Sequence, residues 1–557
     1  MTLYVLDYGA GNVQSLANSL TKLGYTFQWV KCPADFDNAS KLIFPGVGAF
    51  QTAIEYLTDR HLLEPLRRYI SSGRPYFGIC IGLQILFQSS TEAESVKGLG
   101  IIPSSIERFD DSMKAVPHMG WNRTFFVGQV TSEATVGVSD SEAYYFVHSY
   151  KAGYDSSSSD VPAKWVHTIS QYGQERFASS VRHGNVFATQ FHPEKSGLAG
   201  MTVLDQWLKS SDLDNTSIPS SIISKSLPQK DGFIRRIVAC LDVRANDDGD
   251  LVVTKGDQYD VREKFSSAGL SVKSAGAVRN LGKPVTLAER YYLAGADEIC
   301  FLNITSFRSS PLHDQPMLAV VRAAAEKVYV PLTIGGGIKD FIDPDGTFRP
   351  AVEVAGTYFR AGADKVSIGS DAVFAVEKLL ANNNQPTGTS SIETIAKMYG
   401  RQAVVVSADP KRSYIDPETY NGQHSDEIVR GDDGKAWWYQ CTVSGGRELR
   451  ELSVIQLARG VELLGAGEIL LNSIDRDGTG QGFDLDLINL VKRAVNIPVV
   501  ASSGAGSVSH FMDVFNSTKV EAALAAGIFH RGEIKIPDIK EALSFKGINI
   551  RKFNTNS

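Results

Sequence analysis

No apolar run in this 557-residue chain approaches the ~18 residues of a membrane-spanning helix, so a helical membrane protein is excluded. Cysteine is scarce. Cys32, Cys80, Cys240, Cys300 and Cys441 are odd in number, widely scattered and without a C-x-x-C pair. That argues against a disulfide framework or a cysteine zinc site, and for a reducing compartment. Neither sign of charge forms a long block: 56 basic and 62 acidic residues leave a net charge of −6, which speaks against nucleic acid as a partner. The apolar stretch Leu3 to Asp7 begins almost at the initiator and leaves no room for a leader, so the expected location is cytoplasmic. No residue cluster calls for a metal or a redox cofactor. What is present in quantity is hydrophobic content, 43%, in a chain too long for one core, so two or three domains are expected.

The most informative segment runs from Pro75 to Gln84. An apolar strand enters Gly78-x-Cys80-x-Gly82, and a helix-like pattern follows. Glycines on both sides permit a sharp strand-to-helix turn that exposes the thiol, with a helix N-terminus behind it to favour thiolate. Further on, His192 and Glu194 close the strand-like run Val186 to Gln190. Two residues apart on a strand they share a face, so His192 can take the thiol proton while Glu194 steadies the ring. The turn Pro45 to Gly48 follows another short strand, and its Val47 and Gly48 can aim backbone N–H groups at an oxyanion. On these residues, positions 1–208 resemble the class I glutamine amidotransferases. The resemblance implies that Cys80 attacks the side-chain amide of glutamine and releases ammonia, with Gln84, His148 and Ser149 holding the glutamine.

A Ser-, Asp- and Pro-rich stretch, 209–231, reads as a linker. Over 232–557, eight short apolar strands alternate with helical patterns, which predicts a parallel (β/α)8 TIM barrel. Its halves repeat: Gly295-Ala-Asp-Glu-Ile returns as Gly465-Ala-Gly-Glu-Ile, and Asp242 and Asp409 each close the first strand of a half. The overall expectation is an α/β chain, a doubly wound amidotransferase domain fused to a half-repeat barrel. At the barrel rim, Gly337 with Ser367, Gly369 and Ser370 in one half matches Ser503 and Gly504 with Ala526 and Gly527 in the other. Paired glycine turns at helix starts suit two phosphates, hence a bis-phosphate ligand. Asp242 and Asp409 would lie near its middle as acid–base candidates, where burial raises a carboxyl pKa.

These barrel motifs resemble the cyclase of histidine biosynthesis, and the fusion resembles the bifunctional imidazole glycerol phosphate synthases. The resemblance implies that glutamine-derived ammonia and a bis-phosphorylated formimino-carboxamide ribonucleotide (PRFAR) give imidazole glycerol phosphate and aminoimidazole carboxamide ribonucleotide (AICAR). It implies that Asp242 and Asp409 are the acid–base pair, with Lys255 near the substrate and Asp477 and Gly478 on the phosphate side; Asn303 joins the candidate substrate contacts. Arg236, Glu298, Lys365 and Glu468 open otherwise apolar strands and would form a charged ring at the opposite mouth, where the resemblance puts the ammonia gate. Pro117 to Asn122 and Lys195 would dock the domains in cis within a monomer, and 262–279 reads as a lid or a tolerated insertion. The alternatives are a barrel acting on another phosphoribosyl substrate, or a degenerate metabolite sensor.

Overall fold

The computed structural model describes residues 2–9, 11–127, 135–154, 161–210, 232–245, 251–254, 281–304, 315–343, 345–422, 424–431 and 433–552. Lys255 and the 262–279 segment therefore lie outside the described residues.

The N-terminal region is built on an eight-stranded sheet. Gln28–Trp29, Leu3–Val5, Lys41–Phe44, Tyr76–Ile79 and Val186–Thr189 run parallel, and Glu175–His183, Val166–Tyr172 and Phe125–Phe126 extend the sheet antiparallel. The parallel core strands are apolar on both faces because helices cover both. Leu3, Val5, Ile43, Phe77 and Ile79 pack with Leu16, Leu20, Val203 and Trp207, whereas Tyr4, Leu42, Phe44 and Tyr76 pack with Phe50, Leu57, Leu66 and Tyr69. This alternation of partners is the period of two along a strand. Tyr76–Ile79 lies between Lys41–Phe44 and Val186–Thr189, so the turns that follow all three meet at one edge.

The C-terminal region closes on itself. Arg236–Ala245, Glu298–Asn303, Leu332–Gly335, Lys365–Ile368, Val404–Ala408, Glu468–Asn472, Val499–Ser502 and Ala522–Ala525 pair in parallel in chain order, and the last pairs with the first. Asp242 lies within the first strand, which runs past it to Ala245 instead of ending there as expected, and Asp409 directly follows the fifth, so the two stand on opposite sides of the eight-stranded barrel. Inside it, Val238, Cys240, Cys300, Val405, Leu470, Val500, Ala522 and Leu524 form an apolar cluster. The insertion after Asp409 folds into an antiparallel sheet of Pro410–Ile415, Val429–Arg430, Ala436–Val443 and Glu448–Ser453. Arg412 anchors it, lying 4.3 Å from the Trp437 ring centre and pairing with Asp484 at 2.8 Å.

The two regions are docked through the barrel's N-terminal mouth. Lys195 Nζ pairs with Asp364 at 2.7 Å, and Asn12 Nδ2 donates to Asp364 at 2.9 Å and to the Gly362 carbonyl at 2.8 Å. Trp121 Nε1 donates to the Asp297 carbonyl at 3.1 Å, while the Arg551 guanidinium lies 4.3 Å from the Trp121 ring centre. Asp297 and Asp364 each precede the first residue of a barrel strand, which is why these contacts sit at the floor and not at the rim.

Candidate active sites

Cys80 leaves the strand Tyr76–Ile79 with φ 52° and ψ −98°, a conformation that non-glycine residues rarely adopt. Its flanking glycines are required by contact. A Cβ on Gly78 would fall 2.3 Å from the Gly82 carbonyl oxygen, and one on Gly82 would fall 2.1 Å from that of Phe44. The expected helix behind the thiol is only Ile81–Gln84, so its dipole is small. Apolar residues after Gln84 enter the strand Phe87–Ser90 instead of prolonging it.

His192 and Glu194 do meet, with Nδ1 and Oε1 2.8 Å apart, but not as neighbours on a strand face. The strand ends at Thr189, and Pro193, which has no N–H for a ladder, starts a 3-10 turn that folds Glu194 back onto the ring. Burial alone would depress the His192 pKa; the charges of Glu194 and Cys80 outweigh it and push it up to about 10. His192 is buried, and its ring interacts with the Cys80 side chain as well as with Glu194. His148 is buried and held neutral, its pKa pushed down to about 3 chiefly by burial. Ser149 Oγ is buried without a partner, and Gln84 Nε2 donates to the Tyr150 carbonyl at 3.1 Å.

Two residues beside Cys80 and its neighbouring turn were not among the sequence candidates. The Tyr8 hydroxyl donates to the Val47 carbonyl at 2.7 Å, and Gln190 Nε2 lies 3.4 Å from Cys80 Sγ. In the same turn the Gly46 carbonyl accepts a long bond, 3.4 Å, from the Ile81 N–H. Gln190 stands two residues before His192, a position that its motif alone could have flagged.

At the barrel rim, Asp409 keeps part of its surface open, yet enough protein surrounds the carboxyl that burial raises its pKa. Asn472 Nδ2 donates to its Oδ1 at 2.8 Å and opposes that rise, while the Asp477 charge adds to it. Neither Lys411 nor Arg412 takes up Asp409: Arg412 is committed to Asp484. Asp242 is half-buried, with Cys240 Sγ 3.8 Å from its Oδ1. Gly336 and Gly337 have φ of 99° and 75°, and Ser503 and Gly504 of 74° and 90°, so both halves turn through the left-handed region after equivalent strands. Gly369 precedes the helix Ser370–Ala381, and Ala526 precedes Gly527–His530. These turns follow the third and fourth strands and the seventh and eighth, on opposite sides of the mouth. Ser367 Oγ is buried without a partner, whereas Ser370 Oγ accepts the Ser444 N–H at 2.9 Å. Asn303 is buried at the end of its strand, and Asp477 and Gly478 lie in the loop after Glu468–Asn472.

At the other mouth, four buried side chains close a ring. Arg236 bonds Glu298 at 2.6 Å and also Glu468; Lys365 bonds Glu298 at 2.7 Å and Glu468 at 2.6 Å. Burial would raise the Glu298 pKa, but Lys365 and Arg236 hold it down at about 2. Met119 Sδ of the N-terminal region lies 3.6 Å from Lys365 Nζ. Among the described residues, no group of three or more His, Cys, Asp or Glu is placed to hold a metal ion, and no helix is long and apolar enough to cross a membrane.

Comparison with known proteins agrees with this division of the chain. The profile of the class-I glutamine amidotransferase family matches residues 4–210, and that of the histidine biosynthesis protein family matches residues 236–535. The imidazole glycerol phosphate synthase hisHF of Emericella nidulans is 50% identical over 556 residues, covering 99% of each chain. Its Schizosaccharomyces pombe counterpart is 50% identical over 554 residues, 99% of this chain and 100% of the other. A protein of Arabidopsis thaliana named as chloroplastic is 51% identical over 558 residues, 98% of this chain and 89% of its own. With both profiles in one chain and half its residues shared end to end, this chain belongs to the imidazole glycerol phosphate synthase hisHF family.

Proposed function

We propose that the chain hydrolyses glutamine in its N-terminal region, passes the ammonia through the barrel, and uses it to convert PRFAR into imidazole glycerol phosphate and AICAR. Cys80 Sγ attacks the side-chain carbonyl carbon of glutamine. The C–N bond breaks as His192, held as imidazolium by Glu194, protonates the departing nitrogen. Water then cleaves the thioester, releasing glutamate and restoring the thiol. Gln84, His148 and Ser149 hold the glutamine, and Val47 and Gly48 shape the oxyanion site. At the rim, Asp242 and Asp409 move protons during addition, cleavage and ring closure. Lys255, Asn303, Gly337, Ser367, Gly369, Ser370, Asp477, Gly478, Ser503, Gly504, Ala526 and Gly527 receive the two-phosphate ligand. Residues 1–208 and 232–557 act as the two catalytic units joined by 209–231. We take the working unit to be a monomer in the cytosol, a location that suits five cysteines outside any disulfide.

The observation that carries this reading is the contact of Met119 with Lys365, which puts the glutaminase against the charged ring that floors an apolar barrel interior. Ammonia in water at neutral pH is almost wholly protonated and not nucleophilic; an apolar path favours the neutral molecule. Glutamate release by the full chain, measured with and without PRFAR, tests the reading. Strong stimulation is expected, and equal rates with and without ligand would overturn the coupling.

Two further results are expected at the glutaminase. The alkaline limb of glutamine hydrolysis should fall near pH 10 in the native chain, where His192 loses its proton, and should move to lower pH in Glu194→Gln, because the carboxylate that raises the His192 pKa is gone. A rate profile over pH for both proteins checks this. The Tyr8 hydroxyl holds the Val47 carbonyl and so restrains the Val47–Gly48 peptide from turning its N–H toward the oxyanion; Tyr8→Phe frees it, and with a neutral hydrogen bond contributing about 1 kcal/mol, unstimulated hydrolysis should rise a few-fold. An unchanged unstimulated rate would remove Tyr8 from the control of this turn.

A further inference from the structure

The four-residue helix after Cys80 gives the nucleophile little dipole support. Besides His192, whose ring interacts with it, the sulfur has a second donor. Gln190, fully buried just past the end of Val186–Thr189, directs Nε2 at Cys80 Sγ from 3.4 Å. A side-chain amide can in principle be turned over, but here its neighbours fix it. Gln190 Oε1 accepts from Gln84 Nε2 at 3.2 Å, and Gln84 Nε2 also donates to the Tyr150 carbonyl at 3.1 Å. A main-chain carbonyl only accepts, so Gln84 must present its NH2 group there. The second Gln84 N–H then meets Gln190 Oε1, which leaves the Gln190 NH2 for the sulfur. Reversing Gln190 would set two NH2 groups against each other and an oxygen against Sγ.

The Tyr150 carbonyl is fixed in turn. It takes a second bond from His148 Nδ1 at 2.7 Å, so His148 Nε2 accepts from His118 Nδ1 at 3.2 Å, and His118 Nε2 accepts from Asn122 Nδ2 at 3.3 Å. Burial lowers the pKa of both rings and keeps them neutral, as this chain of bonds needs. The titratable groups facing the sulfur are His192, with Glu194 behind it, and Tyr8 from the loop after Leu3–Val5. None of them is part of the amide pair.

We propose that Gln190 acts directly on the nucleophile: its amide N–H, oriented by Gln84 and the Tyr150 carbonyl, donates to the Cys80 sulfur, favours thiolate over thiol, and holds Sγ at the strand end. The inference rests on Cys80 being the glutaminase nucleophile. Gln190→Met removes the donor at nearly constant volume. Gln190→Glu keeps an acceptor for Gln84 but sets a negative charge beside the sulfur. In the full-length chain, the rate of alkylation by iodoacetamide is followed across pH, with the label assigned to Cys80 by peptide mass because Cys32 is exposed. Ammonia-dependent cyclisation, which does not use Cys80, reports whether each variant is folded.

For Gln190→Met the pH of half-maximal alkylation should rise by about one unit or more, a roughly tenfold or greater loss of thiolate on the low-pH limb. Gln190→Glu should rise further, and in both variants kcat for glutamine should fall more than KM rises. Gln84→Met, which releases Gln190 without altering it, should displace the profile in the same direction. An unchanged profile in the Gln190 variants, with any loss confined to KM, would overturn the proposal and leave Gln190 as pocket wall. Failure of a different kind is distinguishable: if Cys80→Ala retains glutaminase activity, the nucleophile assignment itself falls.

Discussion

Asp409→Asn should abolish cyclisation while leaving glutamine hydrolysis responsive to the barrel's ligand. The side chains are nearly isosteric, and the asparagine oxygen can still accept the Asn472 amide, so the strand end should keep its shape. What is lost is a group able to give and take a proton. General acid–base catalysis by one positioned side chain is worth typically ~10²–10⁴-fold, and a fall of that order is expected with free ammonia as donor, which removes the glutaminase from the measurement. The pH profile supplies a second readout. Burial raises the Asp409 pKa and the Asn472 hydrogen bond restrains the rise, so Asn472→Leu should move the corresponding limb to higher pH. Cyclisation by Asp409→Asn at the native rate would take this residue out of the mechanism.

Lys365→Met should uncouple the two reactions. Lys365 bridges Glu298 and Glu468, and without it each glutamate keeps only Arg236 as an ionic partner in the ring. Breaking a buried ion pair from one side costs about 3–5 kcal/mol, because a charge is left uncompensated in the interior. Water drawn in to solvate it would protonate ammonia on its way to the rim. Glutamate release should therefore continue while glutamine-dependent cyclisation falls on the order of tenfold, equivalent to about 1.4 kcal/mol, and ammonia-dependent cyclisation should be nearly unchanged. The ratio of glutamate to imidazole product measures this directly. A ratio equal to the native one would show that the ring is a stability device at the barrel floor.

Much of this molecule is written locally. The glycines around Cys80, the turn at Pro45 to Gly48, the eight apolar strands and the half-repeat are statements about a few adjacent residues, and short-range sterics and strand period are enough to read them. The aspartates at 242 and 409 could be paired from sequence because the repeat supplies the symmetry that contacts would otherwise have to provide. Where local reading went astray, a neighbour in space was responsible: the pattern after Cys80 looked helical but pairs as the strand Phe87–Ser90 beside Ile102–Arg108. His192 and Glu194 were brought together by a proline turn and not by strand alternation.

The sequence by itself determined the two folds and singled out the candidate nucleophile with its candidate base, the paired rim turns and the four charged strand starts. Only the tertiary structure decided which charge meets which, that Met119 rests on Lys365, that Lys195 and Asn12 share Asp364, and that Gln190 reaches Cys80 while Tyr8 bonds Val47. The physical reason is separation. Arg236 and Glu468, or Gln190 and Cys80, are too far apart along the chain for any local preference to act between them. Their partners are set by how strands close into a ring and which side chains the close-packed interior then brings within bonding distance.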